Sequence, residues 1–166
     1  MATSPARVVV AAQATPRSDD EESRHEVATT ATSCSLTQTL NLLGDRWVFL
    51  VLRELMAGCS RFSELRSRLS IAPDVLSNRL GALVDGGVLE RRQYRDPGAR
   101  ARDSYHLTQA GTELNVVLAA LQHWGDRNKP SDLPRLVFTT ADAEALTVSF
   151  VNALGVAVAQ EDVVRQ

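Results

Sequence analysis

Apolar residues recur at helical spacing through most of the central sequence. Leu36, Leu40 and Leu43 share one stripe of a short helix that Ser35 or Thr37 can cap and Gly44 ends. Asp45 caps a second helix, Arg46–Ala57, with Trp47, Leu50, Val51, Leu55 and Met56 as its apolar set. Apolar over much of its circumference, this helix is predicted to be the central one. A third runs over Arg61–Leu69 with Phe62, Leu65 and Leu69 inward. After Ser70-Ile71-Ala72 a fourth begins at Pro73, where a missing N–H costs nothing, and Gly86-Gly87 stops it. Its inward stripe is Leu76, Leu80, Leu83 and Val84.

The pattern then changes to strand character over Val88–Tyr94, with a turn signal at Asp96-Pro97-Gly98 and a return at Ser104–Leu107. Thr108 caps a long fifth helix to about Asn128, striped by Leu114, Val117, Leu118, Leu121 and Trp124. Beyond Lys129-Pro130-Ser131, a short extended piece at Leu136–Phe138 and a helix over Ala141–Ala153 are expected, the latter from Leu146, Phe150 and Leu154 at intervals of four. Residues 1–33 lack apolar periodicity, carry the acidic cluster Asp19-Asp20-Glu21-Glu22 and are read as a disordered tail. The division is thus a tail (1–33), a folded domain (34–128) and a C-terminal extension with a helix (129–166). The fold class is mainly α with a small β-hairpin, in winged helix-turn-helix order.

Charge first argues against a nucleic-acid partner, since 18 Lys and Arg face 20 Asp and Glu. Its distribution reverses that inference. Residues 61–102 hold nine Arg against five acids, and DNA affinity depends on the face presented to phosphate. In a winged helix-turn-helix the second helix of the pair fits the major groove, and the hairpin carries basic side chains to flanking phosphate or the minor groove. Helix Pro73–Asp85 turns out Ser77 and Asn78, with Arg79 on its flank. Asn78 suits adenine, Ser77 a base or phosphate, and Arg79 a phosphate or guanine. The wing, residues 88–107, offers Arg91, Arg92, Arg95, Arg100 and Arg102. The partner is therefore double-stranded DNA. The competing class is a winged helix that binds protein and no DNA.

The segments Cys34-Ser35-Leu36, Gly44-Asp45-Arg46-Trp47, Leu52-Arg53-Glu54-Leu55, Arg61-Phe62-Ser63-Glu64-Leu65, Leu76-Ser77-Asn78-Arg79-Leu80, Gly87-Val88-Leu89-Glu90-Arg91 and Tyr105-His106-Leu107-Thr108 follow one another in an order that resembles the HxlR-type transcriptional regulators. The resemblance covers roughly Cys34–Trp124. It implies a homodimer joined through the first and last helices of the domain, acting on a pseudo-palindromic operator. It also implies that a cysteine placed like Cys34 senses oxidants or electrophiles; the alternative is that Cys34 is a small packing residue. Where such regulators carry Ser or Thr before the recognition helix, this chain has Ala72.

The remaining chemistry is sparse. Two cysteines make no disulfide framework, and no run approaches the about 18 apolar residues of a membrane span. A cytoplasmic protein without membrane contact is expected. His25, His106 and His123 show no metal-ligand spacing, and there is no nucleophile elbow or glycine-rich phosphate loop. No enzyme, cofactor or metal is expected. Trp47 and Trp124 are either core and interface residues or the border of a small-molecule effector pocket between subunits.

Overall fold

The computed structural model describes residues 8–10, 34–129 and 137–164. The chain packs as two compact units, Asp20–Asn115 and Met1–Asp19 with Val116–Gln166. In the first unit, α1 spans Ser35–Leu43, α2 Arg46–Met56, α3 Phe62–Leu69 and α4 Pro73–Asp85, followed by strands β2 (Leu89–Tyr94) and β3 (Arg102–Leu107) and the short α5 (Gln109–Glu113). The first strand of the chain, β1 (Val8–Val10), belongs to the second unit with α6 (Asn115–Asn128), β4 (Val148–Val151) and β5 (Ala157–Val158). No helix among the described residues is long and apolar enough to cross a membrane.

The core of the first unit lies around α2 and α4. Val48, Val51, Leu52, Leu65, Leu76, Leu80 and Leu83 are its fully buried large side chains. The buried stripe of α2 is turned from the expected one: Val48 and Leu52 are sealed, whereas Trp47 and Leu50 are only partly covered. That of α4 is as its spacing predicts, with Val84 half-buried at its margin. Each buried Leu contributes about 1.5–3 kcal/mol relative to exposure, so α4 is held by its inner face and can leave its outer face polar.

The ends of these helices follow from local chemistry. Asp45 caps α2 by accepting from the Trp47 N–H at 2.7 Å. The cap of α1 is Cys34 rather than Ser35 or Thr37, its sulfur accepting from the Thr37 N–H at 3.4 Å. Ala72 precedes α4 with no side-chain cap, and Pro73 opens that helix. The wing strands pair antiparallel from Leu89 opposite Leu107 to Tyr94 opposite Arg102, so β3 begins two residues before the expected Ser104. Gly98, at φ +76°, makes the turn beyond Pro97 that a side chain would strain. The expected single fifth helix is interrupted at Leu114, which gives α5 and α6.

The second unit departs most from the sequence reading. The expected helix over Ala141–Ala153 is absent. Instead β4 pairs parallel with β1, Val8 opposite Val148, and antiparallel with β5, Val151 opposite Ala157. Val148-Ser149-Phe150-Val151 is β-branched and aromatic, which suits a strand better than a helix. Asn152 then turns the chain by accepting from the N–H groups of Leu154 and Val156 at 3.0 and 3.1 Å. Leu154, the expected third member of the helical stripe, is 87% exposed. Val8–Val10 lie within the stretch read as a disordered tail and form a strand, because three valines find a partner in β4. The rest of that tail lies outside the described residues, as does Leu136 of the expected extended piece; Thr139 beyond it makes an isolated bridge with Ala145.

Candidate nucleic-acid interface

α4 presents Asp74, Ser77, Asn78 and Ala82 to solvent, because burial of Leu76, Leu80 and Leu83 fixes its rotation. Ser77 and Asn78 spend no side-chain hydrogen bond on other described residues, so their donors and acceptors are available to a ligand. Arg79 is placed differently. Its guanidinium donates to the Asp45 carboxylate at 2.7 Å. Asp45 thereby caps α2 with one oxygen and anchors α4 with the other. The Arg79 hydrogen bond, then the Trp47 N–H, hold the Asp45 carboxyl below the usual carboxylate range. Arg79 Nε is buried and has no hydrogen-bond partner among the described residues.

The wing arginines fall into distinct settings. Strand alternation sends Arg91 and Arg92 to opposite faces of the hairpin. Arg92 is engaged with Glu90 at 2.5 Å, and Arg95 donates from Nε to the Ala99 carbonyl at 3.0 Å, bracing the turn. Arg91, Arg100 and Arg102 are exposed and form no ion pair among the described residues. Buried Ser104 donates to the Arg92 carbonyl at 2.9 Å and meets His106 Nε2 at 3.0 Å. Burial pushes the neighbouring Tyr105 phenol up, against the opposing pull of the Arg91 charge.

An open groove of about 450 Å³ lies between α3, α4 and the hairpin, lined by Phe62, Ser63, Ser77, Tyr94, Arg102, Asp103 and Tyr105. It brings Ser77 of α4 and Arg102 of the wing to one concave surface. Arg61 at the head of α3 stands beside the wing, paired with Asp96 at 3.1 Å and lying 4.5 Å over the Tyr94 ring. Neither Arg61 nor Asp45 was singled out from the sequence as a site residue. Their partners stand 35 and 34 positions away, and no local spacing announces such pairs.

A family model described as HxlR-like helix-turn-helix matches residues 42–132, more than half of the chain. The chain belongs to this family. Among its relatives is Rv3095 of Mycobacterium tuberculosis strain H37Rv, called an uncharacterized HTH-type transcriptional regulator. The two are 40% identical over 97 residues, which is 58% of this chain and 60% of Rv3095. This chain therefore spans about 60% of the length of that relative. The crystal structure of PA1607 superposes with a TM-score of 0.69 at 26% identity, over 84% of this chain and 99% of that one. The redox regulator HypR in its oxidized form superposes with a TM-score of 0.52 at 27% identity, over 58% of this chain and 98% of HypR.

In this HxlR-like chain Cys34 is exposed and Cys59 buried. The Cys34 sulfur lies 3.1 Å from the Thr37 hydroxyl. That contact first, and the Thr37 N–H second, lower the thiol pKa, because both favour the thiolate. No group of three or more His, Cys, Asp or Glu among the described residues could hold a metal ion. A second groove, of about 230 Å³, lies within the C-terminal unit between α6 and residues 137–148, with His123, Phe138 and Leu146 among its lining. Trp47 and Trp124 line neither groove. Leu36 and Leu40 on α1, and Val117, Leu121 and Trp124 on α6, are exposed apolar side chains that also line neither groove.

Proposed function

We propose that this protein is a sequence-specific, DNA-binding transcriptional regulator of the bacterial cytoplasm. α4 enters the major groove with Ser77 and Asn78 toward the base edges, while the wing lies on flanking phosphate or in the minor groove. The observation that carries this reading is the shared concave surface of α4 and the wing, with the Ser77 hydroxyl on one side and Arg102 on the other. Arg79 serves as a positioning residue, since Asp45 already holds its guanidinium. Arg91, Arg100 and Arg102 are the wing's phosphate contacts, and Arg92 and Arg95 shape the hairpin.

The protein acts as a homodimer on a pseudo-palindromic operator. Leu36 and Leu40 on α1, and separately Leu121 and Trp124 on α6, each expose half or more of their surface, and such apolar faces call for a partner. Selection of bound duplexes from a random pool tests the whole reading. Two inverted half-sites about one helical turn apart are expected. A folded protein that enriches no sequence would leave the protein-binding winged helix in its place.

A thiol-sensing role for Cys34 has its own supporting observation. The residue is exposed, caps α1 and is hydrogen-bonded toward the thiolate form, and the superposable HypR is described as a redox regulator.

A further inference from the structure

We infer that Arg61 and Asp96 form a clasp that sets where the wing stands relative to the recognition helix, so that Arg61 acts on DNA binding as a positioning residue. The inference rests on the DNA-binding reading and deepens it. It starts from the backbone. Ser60 and Arg61 run extended into α3, and Arg61, at φ −91° and ψ 140°, is the N-cap of that helix. This short extended segment lies along β3: Arg61 bridges to Ser104, and the Tyr105 N–H donates to the Ser60 carbonyl at 2.8 Å. The head of α3 is thus joined to the edge of the two-stranded wing sheet by a single β-bridge.

The Arg61 side chain then reaches the far end of the hairpin. Its two terminal nitrogens donate to the two Asp96 oxygens at 3.1 and 3.4 Å, and the guanidinium covers the Tyr94 ring at 4.5 Å. Such a fork fixes direction as well as distance. Asp96 opens the turn through which the chain reaches Arg100 and Arg102, with its carbonyl accepting from the Ala99 N–H at 3.0 Å. The groove that holds Ser77 and Arg102 is also lined by Phe62 and Ser63, the residues after Arg61. One side chain therefore ties the α3 side of the groove to its hairpin side. The pair is half-exposed, 42% and 45%, so its worth to global folding is small. Its effect lies in where it leaves the unpaired arginines.

The decisive variant is Asp96→Asn. Removing an acid from a DNA-facing surface should tighten binding if only charge mattered. The clasp demands the opposite sign: operator affinity falls, by about twofold to tenfold for a dimer losing two exposed pairs. Hydroxyl-radical footprints should lose protection at the wing flanks and keep it where α4 sits. Arg61→Gln should give the same footprint, the double variant should add little to either single one, and the swap Arg61→Asp with Asp96→Arg should recover affinity. Thermal melts of each variant should stay within about 5 °C of the parent, showing that the effect is not unfolding. If Asp96→Asn binds as well as or better than the parent, or if Arg61→Gln and Asp96→Asn act independently, the clasp is refuted and Arg61 is a direct phosphate ligand or a bystander. A parent protein that selects no DNA sinks the functional reading and the clasp's role with it, and that failure is visible before any variant is compared.

Discussion

Neutralising individual wing arginines should separate those that meet phosphate from those that build the hairpin. Arg100 and Arg102 are exposed and carry no ion pair among the described residues, so each can displace a counterion from DNA. Each phosphate neutralised contributes about 0.9 to the slope of log affinity against log salt, and a dimer doubles this to about 1.8 for a single substitution. Salt rising from about 50 to about 200 mM is a change of about 0.6 in log units. The gap between parent and Arg102→Gln should therefore narrow about tenfold over that range. Arg92 starts from a different state. Its guanidinium sits 2.5 Å from Glu90, and the pair brings almost no net charge to the backbone. The double variant Glu90→Gln/Arg92→Gln should change the slope by less than about 0.5.

Fluorescence-anisotropy titrations of an operator duplex at four or more salt concentrations measure these slopes directly. A random duplex in parallel shows whether the loss is independent of sequence, as a phosphate contact requires. Equal slope changes for Arg102→Gln and for the Glu90/Arg92 double variant would refute the reasoning, because the intramolecular pairs would then not survive on DNA. No change for Arg91, Arg100 or Arg102 would remove the wing from the phosphate contact altogether.

Asn78→Ala should cost about 1–3 kcal/mol on the selected operator and little on random DNA, measured by competition binding. Gly111→Ala should lower the melting temperature by several degrees, as overpacking costs about 1–3 kcal/mol and here a Cβ would stand 2.3 Å from the Val88 carbonyl oxygen, a backbone atom with little room to yield. The alkylation rate of Cys34 should rise with pH through a midpoint below that of an ordinary thiol, because a lowered pKa populates the thiolate earlier. Thr37→Val should move that midpoint up, and buried Cys59 should react only on unfolding. A Cys34 midpoint at or above the ordinary thiol value would remove the basis for sensing.

The first unit was legible because its signals are local. Asp45 marks the start of α2, Pro73 and Gly86 bracket α4, and the Leu76–Leu80–Leu83 spacing states which face is buried. The second unit was not, because its signals are shared between distant segments. Leu146, Phe150 and Leu154 fit a helix by spacing alone, and what decides against it is a strand at Val8–Val10. Pairing of that kind is invisible to any window along the sequence. Cys34 shows a milder version: Ser and Thr are the common caps, and a sulfur accepting at 3.4 Å in their place has no propensity signal.

Charge shows the same division between local and distant information. In the sequence the nine arginines between positions 61 and 102 are equivalent, and their excess over acids only says that some face is basic. The fold makes them unequal. Arg61 is taken by Asp96, Arg68 by Glu54, Arg79 by Asp45 and Arg92 by Glu90. Arg66, Arg91, Arg95, Arg100 and Arg102 pair with no acid among the described residues, and all but the first stand on the wing or its turn. Pairing has thus removed charge from the flank of the recognition helix and left it at the hairpin. An α4 that is nearly neutral can discriminate among base edges without being pulled indifferently to phosphate, while the wing supplies attraction that is indifferent to sequence.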